Sequence, residues 1–296
     1  MENGLVLAAD REPFVCFAPL TTNGLLMEKI VDESFPDVLM PLIAANHSGE
    51  KLLLLFDYDG TLTPIVEHPW LAKLAPRTRR LLGQLAGLPG VHVGVLSSRR
   101  IEEVEQLVGL RKLFYSGHSG IEVKLKDATV IHPAALQSSQ TIEEVIRRLA
   151  AIEHVYPGAW VERKRYGFTV HYRGVAAALV EEVHTRILGF LERWSDRLRI
   201  VEGPMAVESV VAGTWTKGDA VRKMIVHVGE PSFVLYAGDA ANDKEAFDVV
   251  TARGGIALGV GPLAPPSATV QVEDPDTLVE WLGILLPALQ PASVEM

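Results

Sequence analysis

Asp57-Tyr58-Asp59-Gly60-Thr61 sets two carboxylates one residue apart, directly behind the unbroken apolar run Leu52 to Phe56. Such a run, short and followed by a turn-rich segment, suits a strand buried on both faces of a parallel sheet. Open α/β sheets bind their ligands at the carboxyl ends of these strands, so both carboxylates can face one phosphate. The first, Asp57, can attack phosphorus to give an aspartyl phosphate. The second, Asp59, can protonate the leaving alcohol and then activate water. The competing reading is an Asp-Gly turn after a strand, and residues far along the chain weigh against it.

Ser97 follows a second apolar run, Val91 to Leu96, where its hydroxyl can bond a phosphoryl oxygen or cap the next helix, two roles that do not exclude each other. Lys217 in Thr216-Lys217-Gly218 opens a helical segment, an unfavourable place for a cation unless an anion sits beside it; the alternative is a solvated lysine. Gly238-Asp239-Ala240-Ala241-Asn242-Asp243 follows a third buried run and adds oxygen ligands to the same sheet edge. Asp57, Asp239 and the backbone carbonyl of Asp59, completed by phosphate and water, would make the octahedral oxygen shell that Mg2+ prefers, with Asp243 behind it. An Asx-rich helix entry explains one of these aspartates, but not polar site residues recurring at several strand ends.

The elements that must hold these groups alternate. A helix entered at Pro76 carries Leu81, Leu82 and Leu85 on one face, and a second carries Ile101, Val104, Leu107 and Val108 up to a stop at Gly109. Late in the chain the alternation returns, with strand Phe233 to Tyr236, helix Lys244 to Val250, and short strands near Ile256 and Val270. The pattern predicts a doubly wound α/β core with a mostly parallel sheet, split by an inserted α+β cap. Residues 51–121 and 211–296 are assigned to the core, 122–210 to the cap and 1–50 to an N-terminal extension. Phe35, Leu39, Leu42 and Ile43 have helical spacing there, although Pro41 weakens a helix. Within the cap, Thr141 with Glu144 reads as a capping box, followed by strands at Trp160 to Glu162 and Phe168 to Tyr172 and a helix near Ala176 to Trp194.

Composition narrows the class. A chain of 296 residues, 48% hydrophobic and 22% charged, is neither disordered nor fibrous by these numbers. A net charge of -9 without a basic stripe argues against nucleic acid and anionic membranes as partners. Cys16 is the only cysteine, which rules out an internal disulfide or a cysteine-based zinc cluster and leaves a plain buried or half-buried thiol as the expectation. No basic and apolar leader and no membrane-length apolar run is present, so a cytoplasmic chain is expected.

In order and context, Asp57, Asp59, Ser97, Lys217 and Asp239 resemble the motifs of the haloacid dehalogenase superfamily, and the long stretch from Ser97 to Lys217 places the insertion as in its sugar-phosphatase branch. Over residues 50 to 285 the chain is most similar to the trehalose-6-phosphate phosphatase family. The similarity is carried by Phe56-Asp57-Tyr58-Asp59-Gly60-Thr61-Leu62-Thr63-Pro64-Ile65-Val66, by Glu162, Lys164 and His171-Tyr172-Arg173, and by Glu208 and Lys217 with Trp215 between them. The resemblance implies a haloacid dehalogenase-like core and magnesium-dependent hydrolysis of trehalose 6-phosphate to trehalose and phosphate through an aspartyl phosphate. It further implies that Glu162, Lys164, Glu208 and Asn242 contact the sugar as the cap closes, and that a trehalose-6-phosphate synthase is a partner in the pathway. Read without it, the cap residues are a charged strand edge that blunts pairing.

The chain departs from the family pattern at Ala240, where a second aspartate is usual, at Asn242 for threonine, at Ser98 for glycine, at Val210-Val211 for Arg-Pro, and in the order Gly117-His118-Ser119-Gly120. The alternatives are therefore a phosphatase for another sugar phosphate, such as a glycosyl-phosphoglycerate, or a catalytically silent sugar-phosphate-binding regulator.

Overall fold

The computed structural model describes residues 37–290, apart from 127 and 204; Cys16 and Phe35 lie outside the described residues. The chain begins with α1 (Met40–His47), β1 (Leu52–Asp57), α2 (Pro76–Leu85), β2 (Val91–Leu96), α3 (Ile101–Val108), β3 (Phe114–Gly117), β4 (Glu122–Leu125) and β5 (Ala128–Ile131). It continues through α4 (Ser139–Leu149), α5 (Ile152–Val155), β6 (Trp160–Lys164), β7 (Gly167–His171), α6 (Val180–Leu191), β8 (Leu198–Gly203) and β9 (Ala206–Val211). It ends with α7 (Lys217–Val228), β10 (Phe233–Gly238), α8 (Lys244–Thr251), β11 (Ile256–Val260), β12 (Val270–Val272) and α9 (Pro275–Ala288).

The large sheet has eight strands in the order β12-β11-β10-β1-β2-β3-β4-β5, parallel from β12 to β3 and antiparallel in the β3-β4-β5 meander. Side chains of a strand alternate between faces, and β1 divides accordingly. Leu52, Leu54 and Phe56 join the core under α1, α2, α3 and α9, while Leu53 and Leu55 join the core under α7 and α8. Burial on both faces explains why β1 reads as a continuous apolar run, and it removes the register ambiguity that would otherwise misplace Asp57. Connections leave β1 toward β2 on one side and return to β10 on the other. Asp57 therefore stands at a topological switch point, between the ends of the strands that carry Ser97 and Asp239.

The smaller sheet, β6-β7-β9-β8, is antiparallel, with α4 and α6 covering one face through Ile142, Val145, Phe168, Val170, Val183, Ile187 and Val207. Its register aligns Glu162, Thr169, Glu208 and Val201 in one cross-strand row on the other face. That polar row faces the end of the large sheet.

Three expectations need correction. The hairpin β4-β5 pairs with β3, so residues 122–131 belong to the large sheet, and Val211 ends a strand of the smaller one. Pro41 does not weaken the helix in the N-terminal extension, which forms as α1. Leu39, Leu42 and Ile43 are buried in the main core, and Pro41 sits in the first turn of the helix, where no N–H is lost. Thr141 does not cap α4, because the helix starts at Ser139, directly after a 3-10 turn over Pro133–Gln137. Among the described residues no helix is long and apolar enough to cross a membrane.

Candidate active site

Gly60 turns the chain sharply after β1. Its φ is +87°, and a Cβ there would stand 2.1 Å from Asp239 Oδ2, so only glycine lets the loop pass this close to a carboxylate of another strand. The tight turn stacks Asp57 against Asp239 and Asp243, whose carboxylate oxygens lie within 4.8 Å of one another. All three are buried. Lys217, at the start of α7, reaches in to donate to Asp57 Oδ1 at 2.5 Å and Asp243 Oδ1 at 2.7 Å.

Electrostatics follow from one buried ammonium facing three carboxylates. Burial pushes the Asp57 carboxyl well above its ordinary range; Lys217 opposes this, and Asp243 and Asp239 add to it. Asp239 is raised to about 7 by burial and by the charge of Asp243. Burial works against the Lys217 ammonium, but Asp243 and Asp57 outweigh it and hold the lysine charged. The unbalanced negative charge is the condition under which a divalent cation is favoured, and a carboxylate set is the donor type that Mg2+ takes. Asp243 is already committed. One oxygen accepts from Lys217 and from Tyr236 Oη at 2.6 Å, and the other accepts from the backbone N–H groups of Asp239 and Ala240, both at 3.1 Å. Asp57 and Asp239 thus keep carboxylate oxygens that a cation could take, and Asp243 fixes the loop that carries one of them.

Asp59 lies two residues on, in the wall of the cleft, and both its oxygens accept from Arg99, Nε and Nη2 each at 2.7 Å. Arg99 also bonds Glu103 and donates to the Pro69 carbonyl at 2.6 Å. Ser97 is buried beneath the cleft floor, and its hydroxyl accepts from the Arg99 N–H at 3.1 Å. Helix α3 is entered later, at Arg100, so Ser97 shapes the loop rather than capping the helix.

The cleft runs from Asp57, Asp59, Asp239 and Asn242 beside the large sheet to Glu162, Lys164, His171 and Glu208 on the smaller one. Lys164 donates to Glu208 Oε1 at 2.7 Å and to the Ser98 carbonyl at 3.1 Å, while Ser119 Oγ donates to Glu208 Oε2 at 2.7 Å. Two loops of the large-sheet unit therefore hold the smaller sheet through one buried ion pair. Glu162 accepts a hydrogen bond from His171 Nε2–H at 2.8 Å. Burial would raise the Glu162 carboxyl, but His171 and Lys164 hold it below its ordinary range; Lys164 is likewise held above its own by Glu208 and Glu162 against burial.

All ten residues singled out in the sequence fall in or directly beneath this one cleft, whereas Arg99, Ser119 and Tyr236 were not foreseen. Their partners lie 40, 89 and 7 positions away, and only the short Tyr236 spacing, one strand end apart, offered any local signal.

His118 lies between the core loop and the cap, fully buried, at φ 49°, with neither ring nitrogen bonded to a protein group; Glu122 is 3.8 Å off. Burial, then the charges of Lys164, Arg100 and Arg165, lower its pKa to about 3. The unfolded chain takes up a proton near 6.5 that the folded chain refuses, so folding stability is lost as pH falls from about 6.5 toward 3. His118→Asn, which tolerates the left-handed backbone, should remove this dependence, flattening stability against pH by up to about 1.4 kcal/mol per pH unit in that window. Urea unfolding of both proteins at stepped pH measures it. Superimposable pH profiles would mean that the imidazole accepts its proton in the fold.

Residues 55–272 match the family model for trehalose-phosphatase. Over 225 residues the chain is 33% identical to the trehalose-phosphate phosphatase of Mycobacterium tuberculosis, covering 74% of this chain and 56% of that one. It is 28% identical over 259 residues to the probable trehalose-phosphate phosphatase H of Arabidopsis thaliana, covering 80% and 72%. The C-terminal domain of the C. albicans trehalose-6-phosphate phosphatase shares the fold at a TM-score of 0.77 and 24% identity, over 86% of this chain and 98% of that one. The chain thus spans about half the length of the mycobacterial relatives it matches.

Proposed function

The chain belongs to the trehalose-phosphatase family, and from that premise we propose that it hydrolyses trehalose 6-phosphate to trehalose and phosphate, with Asp57 as nucleophile and Asp59 as general acid and base. The observation that carries the reading is the buried Lys217 ammonium gripping Asp57 Oδ1 at a switch point of the sheet, under a cleft whose far wall is polar. Lys217 orients the carboxylate, and its other oxygen attacks phosphorus. As that O–P bond forms, the bond to the sugar oxygen breaks, and Asp59 supplies the proton the leaving hydroxyl needs. Water then attacks the aspartyl phosphate, Asp59 takes its proton, and Asp57 is regenerated.

Asp59 has to surrender part of its Arg99 fork to do this, since both its oxygens are occupied as it stands. Held by Asp57 and Asp239, with the Asp59 carbonyl as the third protein donor, Mg2+ would offset the charge of the phosphate dianion and polarise its oxygens. Lys217 and Asp243 would keep those ligands in place. Glu162 and the unused N–H of Lys164 offer hydrogen bonds to sugar hydroxyls, as does Asn242 near the phosphate end.

The test is phosphate release from a panel containing trehalose 6-phosphate, glucose 6-phosphate and a glycosyl-phosphoglycerate, with magnesium supplied and after chelation. Release should be fastest from trehalose 6-phosphate and should fall by about 10²-fold or more on chelation, a few kcal/mol of transition-state stabilisation. A different best substrate would select the broader sugar-phosphatase reading. Binding without release from any would make the chain a silent regulator, against which the intact Asp57 and Asp59 pair stands.

A further inference from the structure

Trp70 is 62% exposed, the largest side chain left in solvent near the cleft, yet it is not loose. On one side it stacks on His68, centroids 4.3 Å apart and planes within 8°. On the other it meets Trp160 at 6.0 Å and 52°. The first two belong to the loop that follows the catalytic turn, and Trp160 opens strand β6 of the cap, so the indole pair bridges core and cap beside Pro69 and His171, which line the cleft. Trp160 in turn stacks on His171, its register partner on β7, at 4.2 Å and 14°, and His171 Nε2 lies 2.8 Å from Glu162. The loop end is pinned as well, because Arg99 donates to the Pro69 carbonyl.

We propose that Trp70 and Trp160 form a clasp that shuts the cap over the sugar end of the cleft and, through the Trp160–His171 stack, sets the Glu162 carboxylate for sugar recognition. The inference rests on the sugar-phosphatase reading given above. Its physical basis is that a tilted aromatic pair is a directional contact with little rotamer entropy to lose, and that a ring stacked on one neighbour and tilted against a second cannot rotate freely. A cap held only by the Lys164–Glu208 pair could still gape where the indoles meet. The clasp adds a second tether there. Trp70 and Trp160 touch no reacting atom and are positioning residues.

Two readouts separate the clasp from the reading beneath it. Neighbouring indoles give an exciton couplet in far-ultraviolet circular dichroism whether or not the protein is active; the couplet should be present in the parent and vanish equally in Trp70→Ala and Trp160→Ala. Its absence from the parent, with and without trehalose 6-phosphate, would overturn the clasp. In kinetics, Trp70→Ala should lower kcat/KM for trehalose 6-phosphate by about fivefold, the scale of one aromatic pair, and that for p-nitrophenyl phosphate by less than about twofold, with Trp70→Phe recovering most of the loss. In a Glu162→Gln background the Trp70→Ala loss should shrink to under about twofold, because both changes remove the same interaction. Equal losses in both backgrounds, or on both substrates, would also overturn it. A parent that releases no phosphate from any sugar phosphate would sink the underlying reading and leave the couplet to decide the clasp.

Discussion

Asp57→Asn is expected to lower phosphate release from every sugar phosphate by about 10⁴-fold or more, without loss of the fold. The amide has nearly the shape of the carboxylate, so β1 and its two cores have no reason to move, but its oxygen is too weak a nucleophile to form the acyl phosphate. Stability should not fall either. Burial, together with Asp243 and Asp239, already disfavours the charged Asp57, and an uncharged group relieves that repulsion while Lys217 keeps Asp243 as its partner. Without added metal, the variant should therefore melt no lower than the parent. Phosphate release and a thermal melt on the same preparation check both halves. Activity within about tenfold of the parent would remove Asp57 from the nucleophile's role.

The parts of the fold that were legible in the sequence are those where one physical signal dominates. Strands β1, β2 and β10 are buried on both faces and so appear as apolar runs, and each runs straight into a polar loop that carries site residues. Helices α2 and α3 show their buried faces at helical spacing. Residues 122–131 were counted with the inserted cap rather than with the large sheet because β5 is an exposed edge strand whose composition says nothing about which sheet it borders. Strands β8 and β9 escaped notice for a related reason. Ile200 packs on the cap helices while Val201 and Glu208 face the cleft, and mixed burial of this kind leaves only a broken alternation.

The site divides in the same way. Aspartates at strand ends can be placed from the strands that carry them. Pairings across layers, such as Arg99 with Asp59 or Ser119 with Glu208, depend on how far apart loops 40 or 89 positions distant come to rest, and no local pattern encodes that. The reading of Glu162 and Lys164 as equivalent sugar contacts shows the limit most clearly, because the two side chains stand two residues apart on one strand face and have different work.

Lys164→Ala should accordingly damage more than sugar recognition. The side chains of Lys164 and Glu208 are 6% and 9% exposed, and the ammonium joins cap strand β6 to Glu208 on β9 and to the Ser98 carbonyl of the core. Removing it leaves a carboxylate buried with only Ser119 as a donor, a situation that costs about 3 to 5 kcal/mol where it has been measured in other proteins. The variant should melt several degrees lower. Its kcat/KM should drop by about 10² or more on trehalose 6-phosphate, and p-nitrophenyl phosphate should suffer too, because a cap no longer tied to the loop after β2 leaves Asp59 and Arg99 open to water. Glu162→Gln is the control. Its carboxylate is 30% exposed and bonds only within the cap sheet, so the loss should be confined to the sugar phosphate and the melting temperature should stay put. Lys164→Ala with Glu208→Gln tests the cause directly: neutralising the stranded carboxylate should recover much of the lost stability and little of the lost sugar-phosphate activity, since the ammonium that meets the sugar is still missing. Should Lys164→Ala behave like Glu162→Gln, sparing both the melt and the small substrate, the pair would contribute sugar contacts alone and the cap would be seated by something else.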